Sequence, residues 1–175
     1  MNNYLIVIDM QKDFIDGSLG TEEAVGIVPN VKKRIEEFDG KVIFTRDTHP
    51  ADYLKSREGK FLPVEHCIKD TEGWMLDKSL RELAEKKAVA VFDKPTFGSV
   101  ELADYIVNEN RKEAIDSIEL IGLCTDICVV SNALLIKANL PETDIRVREN
   151  CCAGVTLEKH RAALETMRSC QIVIE

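Results

Sequence analysis

The sequence predicts an α/β fold built on a mainly parallel β-sheet. Short apolar runs alternate six times with longer segments, most of which carry apolar residues at helical spacing. Strand and helix alternation of this kind requires crossover connections, so the strands pair in parallel and the crossovers are right-handed. Ligands of such sheets bind outside the carboxyl ends of the strands. We therefore expect functional residues directly after strands.

Six short apolar runs are the predicted strands: 4–9, 41–46, 88–93, 117–122, 144–148 and 171–174. The first run ends at Asp9, which is typical of a buried parallel strand with a carboxylate at its carboxyl end. Between the second and third strands, residues 47–73 show no sustained period. A stretch of this length without regular structure is usually functional.

Helices are predicted between these strands. The first is expected to have Pro29 in its first turn and to end before Gly40, because proline suits that position and glycine follows helix ends. Further helices are predicted over 79–87 and 100–110, from a leading cysteine to about residue 139, and over 156–169 with Thr156 as the cap.

Composition limits the classes of function. The chain has 175 residues, enough for one domain over 1–175 with a continuous core, and a net charge of −8. Without a cluster of lysine or arginine we expect neither a nucleic-acid nor a membrane partner. The apolar run 5–8 is too short for a signal peptide or a membrane span, so a cytoplasmic protein with free thiols is expected.

Polar residues follow four of the predicted strands. Asp9 ends the first, Asp47 and His49 follow the second, Lys94 follows the third, and Cys128 follows the fourth. Each alone has a structural explanation, such as a loop cap or a solvated turn residue. Together they converge on one crevice. At a helix start, Cys128 is expected to have a lowered pKa, because the helix dipole favours a thiolate.

A cysteine, a carboxylate and a lysine in one crevice can perform acyl transfer. The carboxylate takes the thiol proton, the ammonium balances negative charge, and the thiolate attacks a carbonyl carbon. Backbone N–H groups in the turn from Leu123 to Cys128 are candidates for an oxyanion hole.

The loop after the second strand predicts a metal site. Asp47, His49 and His66 provide one carboxylate and two imidazoles, a set that suits zinc, iron or manganese. The third histidine, His160, is expected to be an exposed residue of the last helix.

A zinc site made of cysteines is an alternative that the spacing does not favour. Cys124, Cys128, Cys151 and Cys152 include no C-x-x-C pair. Cys151 and Cys152 are instead expected to be small packing residues in a turn before Gly154.

Five ordered motifs carry a resemblance that covers nearly the whole chain. They are Ile8-Asp9-Met10-Gln11-Lys12-Asp13-Phe14, Thr45-Arg46-Asp47-Thr48-His49-Pro50, His66-Cys67-Ile68-Lys69-Asp70-Thr71-Glu72-Gly73, Lys94-Pro95-Thr96-Phe97, and Gly122-Leu123-Cys124-Thr125-Asp126-Ile127-Cys128-Val129. With these motifs the chain resembles the isochorismatase-like cysteine hydrolases, and within that family the nicotinamidases.

The resemblance implies a doubly wound sheet of strand order 3-2-1-4-5-6 with helices on both faces, and a homo-oligomer. It implies a catalytic triad of Asp9, Lys94 and Cys128, and the metal ligands Asp47, His49 and His66. It implies an oxyanion hole formed by the amides of Cys124 and Cys128, and a ring pocket lined by Phe14. It also implies a cis peptide bond between Leu123 and Cys124.

The expected activity is hydrolysis of nicotinamide to nicotinate and ammonia through a thioester on Cys128, with a divalent metal, zinc first. One departure concerns the substrate. Many nicotinamidases have a tryptophan where this chain has Pro63, and its one tryptophan, Trp74, lies beyond the motif. The alternatives are the same scaffold acting on another small amide or N-carbamoyl compound, and, more remotely, a non-catalytic ligand-binding module.

Overall fold

Six strands form one sheet in the computed structural model, which describes residues 1–175. They are β1 (Asn3–Ile8), β2 (Lys41–Asp47), β3 (Ala88–Lys94), β4 (Ser117–Leu123), β5 (Asp144–Ala153) and β6 (Val173–Ile174). All neighbours pair in parallel, in the order β3-β2-β1-β4-β5-β6. The predicted doubly wound α/β class and its strand order are confirmed.

Seven α-helices connect the strands: α1 (Lys12–Ile15), α2 (Glu22–Glu37), α3 (Arg57–Phe61), α4 (Lys78–Lys87), α5 (Val100–Lys112), α6 (Val130–Asn139) and α7 (Leu157–Ser169). A 3₁₀ turn covers Tyr53–Lys55, and a π-helical turn, Thr125–Val129, precedes α6. None of the helices combines the length and the apolar character needed to cross a bilayer.

The central strand β1 serves two cores, one on each face of the sheet. Tyr4, Ile6 and Ile8 pack in the core that α5, α6 and α7 cover, whereas Leu5 and Val7 pack in the core under α2 and α4. Successive side chains of a strand point to opposite faces, so an unbroken apolar run suits a strand covered on both sides. This burial fixes the position of Asp9 at the end of the strand.

The predicted start of the first long helix is wrong. Helix α2 begins at Glu22, where the Thr21 side chain accepts a hydrogen bond from the Ala24 N–H, and Pro29 lies in its interior. A proline there removes the hydrogen bond to the carbonyl four residues earlier, that of Val25. Val25 is 49% exposed, so water can solvate that carbonyl while the opposite face of α2 stays buried.

The predicted turn at Cys151 and Cys152 is also wrong, because β5 continues to Ala153. Both cysteines are buried strand residues. As neighbours on a strand they face opposite sides, Cys151 in one core and Cys152 in the other. All six cysteines are free thiols, as predicted.

Candidate active site

Asp9 directly follows β1 and is fully buried. Its backbone has φ of +46°, a left-handed conformation that residues other than glycine rarely adopt. Hydrogen bonds with Thr45 of β2 accompany this geometry: the Asp9 N–H donates to the Thr45 carbonyl at 3.3 Å and to the Thr45 hydroxyl oxygen at 3.2 Å, and that hydroxyl donates to Asp9 Oδ1 at 2.6 Å. Strained residues of this kind concentrate at functional sites.

Lys94, the last residue of β3, joins the predicted triad. Its Nζ lies 2.6 Å from Asp9 Oδ2 and donates to Cys128 Sγ at 3.4 Å and to the Thr96 carbonyl at 3.1 Å. Burial lowers the pKa of Lys94, but the neighbouring Asp9, Cys128 and Asp47 groups raise it further, so the net pKa lies above its usual value. The lysine therefore stays an ammonium.

The expected low pKa of Cys128 is wrong in sign. Burial raises the pKa of this thiol, the Asp9 carboxylate raises it again, and the opposing effect of Lys94 is too small to reverse the shift. Cys128 also lies in the π-helical turn rather than in the first turn of an α-helix. The resting thiol is therefore protonated, and it needs a base.

The Asp9 carboxylate is placed to be that base. Burial raises the pKa of Asp9, Lys94 lowers it, and Asp47 raises it, with a net increase. Asp9 Oδ2 lies 2.6 Å from Lys94 Nζ, and this contact uses only one of the two lone pairs of the carboxylate oxygen. An acceptor lone pair on Oδ2 is consequently left for a proton.

The turn before Cys128 has the backbone features expected of an oxyanion hole. The Leu123–Cys124 peptide bond is cis, as the resemblance implied. The N–H groups of Ile127 and Val129 both donate to the Cys124 carbonyl at 3.1 Å, whereas the Cys124 N–H donates to no protein acceptor. That amide is therefore free for a ligand.

The three predicted metal ligands lie together. Asp47 Oδ2 is 2.9 Å from His49 Nε2 and 3.5 Å from His66 Nε2. The Val64 carbonyl can only accept, so His66 Nδ1 donates to it at 2.8 Å, which aims Nε2 at the cluster. Burial raises the pKa of Asp47, but hydrogen bonds with both histidines and the charge of Lys94 lower it further, so the carboxylate is ionised.

The sequence interpretation missed Glu58. Its carboxylate lies 3.7 Å from His49 Nε2 and 3.8 Å from His66 Nε2, and one ligand atom from each of the four residues lies within 4.8 Å of the others. One carboxylate pair and two imidazoles suit a divalent transition metal. Nothing in the sequence distinguishes Glu58 from Asp52 or Glu65, which lie in the same irregular stretch.

Gln11 holds the backbone of the metal-cluster residue Asp47 in place. Its side-chain amide donates to the carbonyls of Asp47 and Trp74, both at 2.8 Å, and accepts from the Asp47 N–H at 2.7 Å. Trp74 is buried, its Nε1 donates to the Thr48 hydroxyl at 2.8 Å, and the Arg46 guanidinium lies 3.9 Å over its ring. Trp74 therefore supports the loop and does not line the cavity.

A cavity of about 260 Å³ opens beside these groups. Phe14 lines it, as expected, and contacts the His66 ring with the ring centroids 5.5 Å apart. Leu62 lines the cavity where the resemblance pointed to Pro63, and Phe97 adds a further apolar wall. The remaining lining residues include two cysteines, two carboxylates and one lysine: Cys124, Cys128, Asp47, Glu58 and Lys159.

His160 differs from its prediction as an exposed helical residue. It is half-buried, and its Nδ1 shares a 2.8 Å hydrogen bond with the Thr125 hydroxyl.

The fold and the grouping of a cysteine, a carboxylate and a lysine are typical of a cysteine hydrolase, and similarity to known proteins agrees with that class. The isochorismatase domain matches residues 3–175. The nicotinamidase/pyrazinamidase of Mycobacterium tuberculosis is 28% identical over 184 residues, covering 96% of this chain and 95% of the relative. The chain therefore belongs to the isochorismatase family, and it is an amidohydrolase of the nicotinamidase-like type.

Two solved structures share the fold. Pyrazinamidase of Pyrococcus horikoshii, in complex with zinc, has a TM-score of 0.80 and 27% identity, covering 100% of this chain and 99% of that one. N-carbamoylsarcosine amidase from Thermoplasma acidophilum has a TM-score of 0.78 and 26% identity, covering 100% and 96%.

Proposed function

We propose that this protein hydrolyses nicotinamide to nicotinate and ammonia, with Cys128 as the nucleophile, Asp9 as the acid–base group and Lys94 as the fixed cation. The observation that carries the proposal is the position of Lys94 Nζ, which lies 2.6 Å from Asp9 and 3.4 Å from Cys128. These groups surround one small, mainly apolar cavity. Similarity to nicotinamidase/pyrazinamidase of Mycobacterium tuberculosis supports the choice of substrate.

Acylation begins with proton transfer from the Cys128 thiol to Asp9. The sulfur attacks the carboxamide carbon, and the amides of Cys124 and Cys128 hold the negative carbonyl oxygen. When the C–N bond breaks, Asp9 returns the proton to the leaving nitrogen, which departs as ammonia. The product of this half-reaction is a nicotinoyl thioester on Cys128.

Deacylation repeats the proton transfers with water. Asp9 takes a proton from the water as its oxygen attacks the thioester carbon, and the same two amides hold the oxyanion again. The C–S bond then breaks, and the proton on Asp9 restores the Cys128 thiol as the acid leaves. Lys94 keeps its charge throughout, because the surrounding carboxylates hold its pKa above its usual value.

Asp47, His49, Glu58 and His66 would hold a divalent metal next to the same cavity. A metal bound there would act as a Lewis acid toward an electron-pair donor of the substrate. We propose zinc, with iron and manganese as the alternatives, and the zinc complex of the similar pyrazinamidase supports that choice. Homo-oligomerisation, a single domain over 1–175 and a cytoplasmic location stay predictions.

A second candidate substrate is an N-carbamoyl compound. Leu62 and Phe97 give the cavity apolar walls without the expected tryptophan, and N-carbamoylsarcosine amidase has the same fold. The two candidates differ in the group attached to the amide carbon, which is an aromatic ring in one and a second nitrogen in the other.

The test is an ammonia-release assay on nicotinamide, pyrazinamide and an N-carbamoyl amino acid. Each is measured before and after treatment with a chelator, and after zinc, iron or manganese is restored. We expect turnover of nicotinamide that falls with the chelator. Turnover of the N-carbamoyl compound alone would support the second candidate. Absence of ammonia from every substrate would contradict the enzyme proposal and favour a ligand-binding module.

A further inference from the structure

The turn Thr125–Val129 carries one of the two amides proposed for the oxyanion hole, that of Cys128, and begins directly after the other, that of Cys124. It is π-helical, and one carbonyl, that of Cys124, accepts from both the Ile127 and the Val129 N–H groups. Single π turns are rare and occur frequently at functional sites. Such a turn departs from the α-helical hydrogen-bond pattern, so contacts from outside it matter more for its position.

Two side-chain contacts tie this turn to neighbouring segments. The hydroxyl of Thr125, a fully buried residue, shares a 2.8 Å hydrogen bond with His160 Nδ1 on α7. Asp126 Oδ1 accepts from the Val155 N–H at 2.9 Å, in the loop between β5 and α7. Consecutive residues of the turn are thus attached to α7 and to the loop that precedes it.

His160 is itself held firmly. Its backbone N–H donates to the Thr156 carbonyl at 2.9 Å, in the first turn of α7, which the Thr156 side chain caps. Gly154 allows the close approach of the two segments. A Cβ atom at that position would lie 2.8 Å from Asp126 Oδ1 and 2.9 Å from the Cα of His160, closer than real Cβ contacts come.

We propose that His160 is a positioning residue for amide hydrolysis, which acts through Thr125 to hold the Cys124 and Cys128 amides at the spacing an oxyanion requires. The inference rests on the proposed function, because it assigns that function's oxyanion hole a support. His160 does not line the active-site cavity. It lines a separate cavity of about 250 Å³ that shares only Gly154 with the first, and its hydrogen bond to Thr125 connects it to the turn.

The hydroxyl and the imidazole can be removed separately. His160→Ala and Thr125→Val each delete one partner, whereas His160→Asn keeps a polar atom near the position of Nδ1 and Thr125→Ser keeps the hydroxyl. Because His160 is half-buried and lines the cavity of about 250 Å³, its truncation to alanine lets water from that cavity reach the buried Thr125 hydroxyl. We therefore expect the folded state of the alanine variant to persist, and Thr125→Val gives an independent variant of nearly unchanged volume.

The first measurement is steady-state ammonia release. Loss of a whole oxyanion donor typically lowers kcat by about 10²–10³-fold, so displacement of the turn should lower it by about tenfold in His160→Ala and Thr125→Val. KM should change less than kcat, because the apolar walls Phe14, Leu62 and Phe97 lie outside the turn. His160→Asn and Thr125→Ser should recover most of the wild-type kcat, which a simple packing role for the imidazole ring would not produce.

The second measurement is the alkylation rate of Cys128 by iodoacetamide. This reaction displaces iodide at a methylene carbon and forms no oxyanion, so its rate should fall much less than kcat does, although Cys128 lies in the turn. Hydrogen exchange of the amides in 123–130 should become faster in both deletion variants. Together these results would place the defect in the amides of the turn rather than in the reactivity of the Cys128 sulfur.

Four outcomes overturn the inference: unchanged kcat in both deletion variants, failure of both conservative variants to recover activity, alkylation of Cys128 slowed as much as kcat, or unchanged hydrogen exchange in 123–130. Wild-type enzyme that releases no ammonia from any amide would overturn the proposed function together with the inference. An active wild-type enzyme combined with any of the four outcomes would overturn the inference alone.

Discussion

Asp47 and Lys94 form a 3.4 Å ion pair, between Oδ1 of the carboxylate and Nζ of the lysine. The other carboxylate oxygen of Asp47 contacts His49 and His66. One carboxylate thus belongs to both the proposed metal cluster and the surroundings of the triad. The charges of the metal cluster and of the triad therefore influence each other, because both groups are buried and water screens them weakly.

Asp9→Asn should remove the proposed acid–base group while preserving its shape. We expect kcat for ammonia release to fall by about 10²–10⁴-fold, the usual contribution of a positioned general base. Steady-state kinetics with nicotinamide measure the change. Asp104→Asn, at an exposed position of α5, is the matched control. A kcat near wild type for Asp9→Asn would remove Asp9 from the mechanism.

Cys128→Ala should abolish ammonia release and prevent acyl-enzyme formation, because no other residue replaces the attacking sulfur. Mass spectrometry of enzyme quenched during turnover should detect the added acyl group in wild type and not in the variant. Cys170→Ala, at the exposed free thiol, should behave as wild type. An acyl adduct that persists in Cys128→Ala would assign the nucleophile to a different residue.

His66→Asn should lower metal affinity by at least about 10–100-fold, the loss that changes even to residues that only orient a ligand produce. Glu58→Gln should lower metal affinity less than His66→Asn does. Glu58 is the more distant of the two carboxylates in the cluster, at 3.7 Å from His49 Nε2 compared with 2.9 Å for Asp47. Metal content after dialysis and competition with a chelator measure both. Glu65→Gln, at an exposed neighbouring position, is the control. Metal content equal to wild type in His66→Asn would contradict the ligand assignment.

Phe14→Ala should raise KM for nicotinamide about tenfold, equivalent to about 1.4 kcal/mol, with a smaller effect on kcat. Phe14 is 8% exposed and lines the cavity against His66. Phe61 is 78% exposed and does not line the cavity, so Phe61→Ala tests the loss of an aromatic ring elsewhere. Equal KM values for the two variants would show that Phe14 does not contact the substrate.

Glu119→Gln should lower the free energy of unfolding at pH 7 by about 1.5–3 kcal/mol, the usual range for hydrogen bonds to charged groups. The buried Glu119 carboxylate accepts hydrogen bonds from Nε and Nη2 of Arg34 at 2.8 and 2.6 Å. It also accepts from Nε and Nη2 of Arg148 at 2.8 and 3.3 Å. Burial raises the pKa of Glu119, but the two arginines lower it further, so the net pKa is below its usual 4.5.

The sign of the pH dependence follows from that lowered pKa. The stabilisation by ionised Glu119 is fully present above about pH 4.5 and is lost as the pH falls toward the folded-state pKa. Urea unfolding should therefore show a difference in the free energy of unfolding between wild type and Glu119→Gln, and this difference should become smaller below pH 4.5. Glu142→Gln, at an exposed residue without an ion pair, should show no such difference. A difference that is independent of pH would exclude the charge as its cause.

The sequence was sufficient for the sheet because apolar runs record burial directly. The six apolar runs coincide with the six strands, and the strand order is the one that the family resemblance implies. The predicted start of α2 is wrong because it relies on the preference of proline for a first helical turn. The helix begins earlier, where Thr21 caps it and Ala24 and Ile27 are buried. Tertiary burial outweighed a local preference there.

The triad was predictable because Asp9, Lys94 and Cys128 follow strands, and the structure brings them together. His66 was predictable from the pair of histidines in the irregular loop, and Phe14 only from the family resemblance. Glu58 reaches the metal cluster from α3, a five-residue helix inside an irregular loop, and that path depends on tertiary packing. The raised pKa of Cys128 also follows from burial, a property of the folded chain that local sequence does not specify.

Gly122 has a consequence for redesigning substrate choice. Its φ is +117°, and a Cβ atom there would lie 2.1 Å from the Ile8 carbonyl oxygen, so β1 and β4 approach more closely than any larger residue permits. The strand ends that carry Asp9 and lead to Cys128 are consequently unsuitable for enlarging the cavity. An engineer seeking activity on bulkier amides should vary Leu62 and Phe97, whose loops lie outside that close contact.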